Sequence, residues 1–371
     1  MIHPVKHASY IWQRPDWPHF QWQSDKLLEP LARLSHLHGQ LTGQMSMLGW
    51  DDKSEARLNA LTDELVNSSE IEGVVLNADS VRTSIARKLG IETNGLLVED
   101  HYVEGLVDVM LDAVTNSDKQ LSEERLFGWH CALFPTGRSG MYKITVGDWR
   151  KGDEPMRVVS GAFGHEKVHY EAPPSDSVPH EMAQFIKWCD ESSQSPYIKA
   201  AIAHLWFVTI HPFDDGNGRL SRTIADMCLS SLDEGNTRYY SMSAEINRNK
   251  KSYYDILERT QKGSLDITEW LLWFFDCLER AIQRAQETVK RTLKKALYWD
   301  KFHDVAINER QRKIINRLWD GFDGKLTSSK WAKICSCSQD TALRDINYLI
   351  AKEMLRDSGE GGRSTNYILP E

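Results

Sequence analysis

The sequence predicts a mainly α-helical protein with one small β excursion, followed by a separate C-terminal module of short helices and a hairpin. Three observations lead there. Apolar residues recur at helical spacing up to about residue 300. Residues 141–174 break that pattern with Tyr142, Ile144, Val146, Trp149, Val158, Val159, Val168 and Tyr170 among glycines, closing on Pro173-Pro174, which reads as a short hairpin or flap. From about Asn308 the helical segments shorten and end in a glycine-rich stretch. The length of 371 residues suits two or three domains, and 41% hydrophobic with 26% charged residues suits globular ones. A formal charge of -8 argues against a protein that coats nucleic acid, although a local basic face stays compatible with it. No apolar stretch approaches the ~20 residues of a membrane span, and the start Met-Ile-His-Pro-Val-Lys lacks a signal-peptide core, so the expected address is the cytoplasm with no membrane partner.

The elements follow in order. Residues 1–50 form an aromatic-rich extension and a helix: Tyr10, Trp12, Trp17, Phe20 and Trp22 alternate with Pro15 and Pro18, which suits an arm packed on the body, and Leu27, Leu28, Leu31, Leu34 and Leu37 then mark a helix over about 24–47. Another helix runs from Asp51 to Ser68, and more are expected near 78–90, 99–116, 121–133, 178–192 and 196–210. After residue 211 come helices near 219–232, 250–262 and 266–298. In 308–371, three helices (around Ile314 to Leu318, Thr327 to Ile334 and Ser338 to Lys352) precede Gly359-Glu-Gly-Gly-Arg363 and a strand ending in Tyr367-Ile-Leu369, the order of a winged helix-turn-helix. That module carries 11 Lys and Arg against 9 Asp and Glu, which leaves both a DNA and a protein partner, or a homodimer contact, open. Its base-reading positions would be Ser338, Gln339, Thr341 and Arg344, with Arg363 on the wing. The six cysteines are mostly isolated in apolar helical segments, as reduced core residues are, and Cys335-Ser-Cys337 has the wrong spacing for a zinc knuckle.

The chemistry is concentrated in His211-Pro-Phe-Asp-Asp-Gly-Asn-Gly-Arg-Leu-Ser-Arg222. The buried helix before it must stop at Pro212, which puts His211 on a rigid support. Asp215 can hold a magnesium ion, Gly216, Asn217 and Gly218 offer backbone N–H groups to an anion, and a helix beginning about Leu220 adds its N-terminus. Arg219 and Arg222, three apart, share a face from which both could reach a polyphosphate. A plain turn joining two helices would not need a histidine and two arginines.

This run resembles the Fic family signature, His-Pro-Phe-x-Asp/Glu-Gly-Asn-Gly-Arg-x-x-Arg, with no departure at any specified position. The resemblance implies a Fic-type helical catalytic domain over 51–298 and transfer of AMP from ATP to a Tyr, Thr or Ser hydroxyl of target proteins, or of the chain itself. It makes His211 the general base, Asp215 the Mg²⁺ ligand, Gly216, Asn217 and Gly218 the phosphate cradle, and Arg219 and Arg222 the clamps on the outer phosphates. The flap, about 158–174 and including Val168, matches the family hairpin that aligns a target segment by strand pairing, and Tyr253-Tyr254 resembles the aromatic pair that helps enclose the nucleotide. Gly218 and Arg219 favour adenylylation over the phosphate-transferring relatives, which carry Lys at the position of Gly218. The tryptophan-rich start resembles an extension found on some bacterial members.

Ser68-Ser-Glu-Ile-Glu72-Gly73 fits a second family pattern, Ser/Thr-x-x-x-Glu-Gly/Asn, the inhibitory helix, here about residues 60–73. The resemblance implies that Glu72 pairs with Arg222 and so takes the cation meant for the γ-phosphate. The bland alternative has Ser68 capping a helix and Glu72 as a solvated acid in its first turn. The same glutamate could instead orient a water that removes AMP from a modified target. A different class remains beside the enzyme: a DNA-binding transcriptional regulator whose Fic core only senses nucleotide.

Overall fold

The computed structural model describes residues 9–91, 100–161, 167–232, 237–319, 321–359 and 365–370. It is mainly helical, with three two-stranded antiparallel hairpins among the described residues. The chain divides into two compact units, Met1–Gln286 and Glu287–Glu371, and the boundary falls inside the long helix Thr268–Lys301.

The first unit is built on the helix Pro196–Ile210, in which all residues but Pro196 and Lys199 are buried. Its sequence is apolar on every side, so no face can be left to solvent and the segment must sit at the centre of the unit. Pro196 at the first turn needs no N–H partner there, and Ser195 stands at the cap. The main neighbour is Asn217–Ser230, on which His101–Thr115 also packs, and Glu123–Leu133 lies beside His101–Thr115. Trp50–Ile71 lies against Met242–Arg248 and Ala78–Leu89. Trp270, fully buried in Thr268–Lys301, donates its indole N–H to the Ala201 carbonyl at 2.8 Å and meets the His204 ring edge-on at 5.4 Å.

The aromatic start is an arm laid on this unit. Trp12 Nε1 donates to the Glu171 carbonyl at 2.8 Å, Arg14 to the Gly263 carbonyl at 2.9 Å, and Gln21 exchanges backbone bonds with Leu265 and Ile267. The helices expected from spacing occur within a few residues of their sequence bounds; one further helix, Met242–Arg248, is too short for its apolar residues to show a period, and forms because Ser241 caps it and Glu64 accepts the Ser243 N–H at 3.1 Å. The helix expected from about Leu220 starts earlier, at Asn217, because Gly216 takes the left-handed conformation (φ 85°) that turns the chain sharply into it.

The β excursion is two separate hairpins. Arg138–Ser139 pairs with Tyr142–Lys143, and Arg157–Ser160 with Lys167–Glu171, the latter with a bulge between Val158 and Val159. The second hairpin is tied to the central helix by Tyr170, whose hydroxyl donates to the Thr209 carbonyl at 2.6 Å.

In the second unit, helices Glu309–Trp319, Ser328–Cys335 and Gln339–Ala351 enclose Ile314, Ile315, Trp331, Ile346 and Leu349. Thr327 and Ser338 cap the second and third helices, and Arg356–Asp357 pairs with Tyr367–Ile368. Ser338 and Thr341 bond one another at 2.9 Å as part of that cap, and Gln339 reaches Ser329 at 3.1 Å; Arg363 lies outside the described residues. All six cysteines are free thiols.

Since Trp270 is fully buried against the central helix, Trp270→Ala should cost about 3–5 kcal/mol, with loss of the extra hydrogen bond to the Ala201 carbonyl. Urea unfolding of the variant beside the parent checks this; an unchanged midpoint would contradict the packing described.

Candidate active site

His211 ends the central helix in a left-handed conformation (φ 52°), which is strained for a residue with a side chain and is held from both sides. Its N–H bonds the Phe207 carbonyl at 3.0 Å, its own carbonyl accepts from Arg150 Nε at 2.7 Å, and the backbone N–H of Arg150 takes the Pro212 carbonyl at 2.9 Å. The ring Nδ1 lies 3.2 Å from the Val208 carbonyl, an acceptor, so Nδ1 carries the proton and Nε2 is left as a base. Burial lowers the pKa of His211 below its usual 6.5, so the ring is neutral at pH 7.

The loop after His211 is fixed by two buried groups. Phe213 is fully buried and stacks on His130 at 4.0 Å. Asn217 closes the loop on itself: its Oδ1 accepts the Phe213 N–H at 3.0 Å and its Nδ2 donates to the Phe213 carbonyl at 2.8 Å. The Asn217 side chain is thus a brace, while its backbone N–H, with those of Gly218 and Arg219, belongs to the helix start and has no partner within the helix. The two carboxylates diverge. Asp214 accepts the Thr145 N–H at 2.8 Å, and Asp215 accepts from the Ser139 hydroxyl and, at 2.6 Å, from the Gly216 N–H. No cluster of three metal-ligating side chains occurs among the described residues. A lone carboxylate with hydroxyl and backbone support beside an anion site nonetheless suits Mg²⁺, which takes one or two carboxylates and draws its other ligands from phosphate and water.

Arg222 is 2% exposed. Its Nε donates to Ser68 Oγ at 2.9 Å, and its Nη2 to the Ser68 carbonyl at 2.9 Å and to Glu72 Oε1 at 2.8 Å. Burial pulls the Arg222 pKa down, but Glu72 and the nearby Tyr253 and Tyr254 more than offset this, and the guanidinium stays charged. Glu72 caps the C-terminal end of Trp50–Ile71 and Gly73 follows with φ 81°. Ser68 is therefore near the end of a helix, not at its start, and the first-turn reading of Glu72 is wrong. The Glu72 carboxylate also lies directly over Gly218: a Cβ there would come within 2.1 Å of Oε1. An acidic group thus occupies the helix N-terminus, where an anion is favoured.

Arg219 does not join Arg222. Its Nη1 donates to the Tyr102 hydroxyl at 2.9 Å and its guanidinium lies over Phe134 at 4.9 Å. Arg219 Nε and Arg222 Nη1 are among the buried donors without a hydrogen-bond acceptor in the described residues.

Glu72, His211 and Gly218 open on one cavity of about 450 Å³, a size suited to a small ligand. Tyr253 and Tyr254 form part of its wall, Tyr253 held by His204 at 2.8 Å and Tyr254 by the Ile71 carbonyl at 3.2 Å. The flap contributes Val158, Val159, Ser160 and His169. Val168 pairs with Val159 in the ladder, is 39% exposed and is not part of the cavity wall; Asp215, Asn217, Arg219 and Arg222 border the motif loop and helix and do not line it either.

Three further residues were not singled out from the sequence. Arg150 joins the His211 carbonyl to that of Pro173 at the flap base. Ser139 holds Asp215. His130 bonds the Asp215 carbonyl through Nε2 at 3.1 Å and accepts the Gly147 N–H on Nδ1 at 3.3 Å. Their partners are distant in sequence and mostly backbone, so spacing carries no signal; only the position of Arg150 next to Trp149 in the apolar β stretch hinted at burial.

The fold thus brings a basic imidazole and a glycine-flanked helix N-terminus to one cavity, with the buried Arg222 joined to its wall through Glu72, an arrangement that can take an anionic group. Residues 120–229 match the Fic/DOC family, and residues 10–91 match a domain of unknown function, DUF4172. The chain thus carries a Fic-family domain over residues 120–229. It is 32% identical over 104 residues to the protein adenylyltransferase Fic of Drosophila ananassae, covering 27% of this chain and 19% of that protein. It is 37% identical over 65 residues to the uridine 5'-monophosphate transferase of Xanthomonas campestris pv. campestris, covering 15% of this chain and 12% of that protein. The match thus spans a fifth or less of these curated relatives. Two solved structures share the fold: a Fic family protein from Desulfovibrio desulfuricans G20 (TM-score 0.54, 20% identity, covering 93% of this chain and 95% of that one) and a Fic domain containing signaling protein from Bacteroides thetaiotaomicron (0.52, 18%, 71% and 97%). No described helix is long and apolar enough to cross a membrane.

His130 gives the loop a pH dependence. Burial, partly opposed by the Asp215 carbonyl, lowers its pKa from 6.5 to about 4, so the fold holds it neutral where the unfolded chain would protonate it. Its contribution is therefore present above 6.5 and lost as pH falls toward 4. At about pH 5 the loss is roughly 2 kcal/mol. His130→Asn should accordingly cost less stability at pH 5 than at neutral pH, as measured by denaturant titration; an equal cost at both would contradict the assignment.

Proposed function

We propose that the chain is a protein adenylyltransferase held inactive by its own Glu72. The observation that carries this reading is the Glu72 carboxylate, which sits over Gly218 at the helix N-terminus and on Arg222 at 2.8 Å. It is placed as a ligand phosphate would be, on the chain's own signature motif.

The catalytic sequence then follows from the side chains. With Glu72 withdrawn, Arg222 is free to bind the outer phosphates of ATP, and the N–H groups of Gly218 and Arg219 face its anionic oxygens. Arg219, turned to Tyr102 and Phe134, adds positive charge behind the helix start. Tyr253 and Tyr254 supply an aromatic wall for the nucleoside. A target segment lies along the flap and presents a Ser, Thr or Tyr hydroxyl to His211 Nε2, which takes its proton while the oxygen attacks the α-phosphorus and pyrophosphate leaves. Asp215 would hold Mg²⁺, whose charge would offset that of the phosphates. Asn217, Arg150 and His130 keep the loop in place during these steps.

The names of the curated relatives support nucleotide transfer, one of AMP and one of UMP, and both donors fit an anion site of this kind. ATP is favoured here by the intact motif. In the second unit, the order of three helices and a hairpin supports a winged helix that docks a partner.

Two outcomes are expected. Glu72→Gly should raise incorporation of labelled AMP by about tenfold or more, the equivalent of one lost charge-assisted bond, and His211→Ala in that background should lower it at least a hundredfold or so. Equal labelling with and without Glu72 would remove the brake from the account. The rate of the Glu72→Gly variant should hold below pH 6.5 and then fall as His211 takes a proton, because burial lowers its pKa and removing Glu72 takes away a charge that raises it. An acid limb centred above 6.5 would assign the base to another group.

A further inference from the structure

The flap carries a second constellation, which the signature motif does not use. Ser160 ends the strand Arg157–Ser160, and His169 lies across the hairpin in Lys167–Glu171. Ser160 Oγ is 2.6 Å from His169 Nε2. The other ring nitrogen, Nδ1, is 2.6 Å from Glu258 Oε2 on the helix Lys250–Gln261. Glu258 also accepts from Lys262 Nζ at 2.6 Å, and the bonds from Lys262 and His169 pull its carboxyl down to about 2, so it is ionised. An ionised carboxylate can only accept, so the proton on this edge of the imidazole belongs to Nδ1 and Nε2 is left to accept from the serine hydroxyl.

That is the order of groups in an activated serine: hydroxyl, imidazole as base, carboxylate as orienter, each within hydrogen-bond reach of the next. All three side chains line the same cavity as His211 and Gly218. Ser160 is exposed, so its oxygen is not locked away in the hairpin. A hydrolytic role would need paired donors for an oxyanion, and none faces Ser160 among the described contacts. A phosphorus electrophile bound in the shared cavity requires no such new site, since the motif helix already serves its oxygens.

We propose that Ser160 is a self-acceptor, activated by His169 and Glu258, that takes the nucleotidyl group from a nucleoside triphosphate bound in the shared cavity. This rests on the nucleotide transfer proposed above. The bond formed is Ser160 Oγ to the α-phosphorus, the bond broken is that from the α-phosphorus to the oxygen bridging it to the β-phosphorus, and pyrophosphate leaves. The hydroxyl proton passes to His169 Nε2, and the resulting imidazolium faces Glu258. His211 is not needed as the base for this acceptor, which separates self-modification from target modification at the level of residues.

The test has two arms on the full chain. In the first, a fluorophosphonate probe, which needs no nucleotide, is offered to the wild type, Ser160→Ala and His169→Gln. Ser160 should be the residue labelled, and His169→Gln should label at least about tenfold more slowly with an unchanged melting temperature. Equal rates in wild type and His169→Gln would overturn the activation. In the second arm the Glu72→Gly chain is incubated with ATP and Mg²⁺, digested and mapped by mass spectrometry. AMP on the peptide bearing Ser160, absent in Ser160→Ala, is the expected result. AMP elsewhere on the chain but never on Ser160 would overturn the self-acceptor and leave adenylyl transfer standing; no AMP anywhere would overturn both.

Discussion

The buried guanidinium of Arg222 is the constraint on which the rest of the site depends. A charge that is 2% exposed must be matched by acceptors, and an unmatched one costs several kcal/mol. The end of the helix Trp50–Ile71 supplies them: a hydroxyl and a carbonyl from Ser68 and a carboxylate from Glu72. These bonds tie the end of that helix to the motif helix and put the Glu72 carboxylate on the wall of the cavity. They also explain why Gly218 has no side chain, because the Glu72 carboxylate lies where a Cβ would be. The same geometry makes the contact exchangeable. A phosphate could replace Glu72 with no loss of satisfaction for Arg222, since Ser68 would still hold the other side of the guanidinium.

Around that pair the loop from His211 to Gly218 is over-determined by groups that do no chemistry. Arg150 holds the His211 carbonyl and the flap base together, Asn217 brackets Phe213, and His130 supports the Asp215 carbonyl from beneath. The strained backbone of His211 persists because these bonds leave it no alternative. The outcome is an imidazole on the cavity wall, neutral at pH 7 chiefly because of burial, with the Arg150 charge acting in the same direction. Rigidity here and exchangeability at Arg222 are complementary: one end of the site is fixed, and the other waits for an anion.

Much of this was legible in the sequence, and what was not has a physical cause. The central helix announced itself by unbroken apolarity ending at Pro212, and the motif by residue types that no turn requires. The Glu72 pattern placed the acid correctly, yet its position at the end of a helix and over Gly218 came only with the structure, since both depend on the distance between two helices about 150 residues apart. Arg219 illustrates the opposite failure. Three-residue spacing puts it on the same side as Arg222, but Tyr102 on the helix His101–Thr115 and Phe134 just after Glu123–Leu133 draw its side chain away. Val168 likewise belongs to the flap without lining the cavity, since its strand neighbour His169 lines it and successive side chains point to opposite faces. Arg150, His130 and Ser139 act on backbone or on distant carboxylates, and nothing in their local sequence marks them.

The central claim is that Glu72 and the outer phosphates of the donor compete for Arg222. Crystal structures of the wild type and Glu72→Gly, each soaked with ATP and Mg²⁺ under the same conditions, test it most directly. The account predicts an outer phosphate within hydrogen-bond distance of the Arg222 guanidinium in Glu72→Gly, and a retained contact between Glu72 and Arg222, with no phosphate on it, in the wild type. A wild-type structure with both Glu72 and an outer phosphate on Arg222, or a Glu72→Gly structure whose phosphates bypass that arginine, would contradict it.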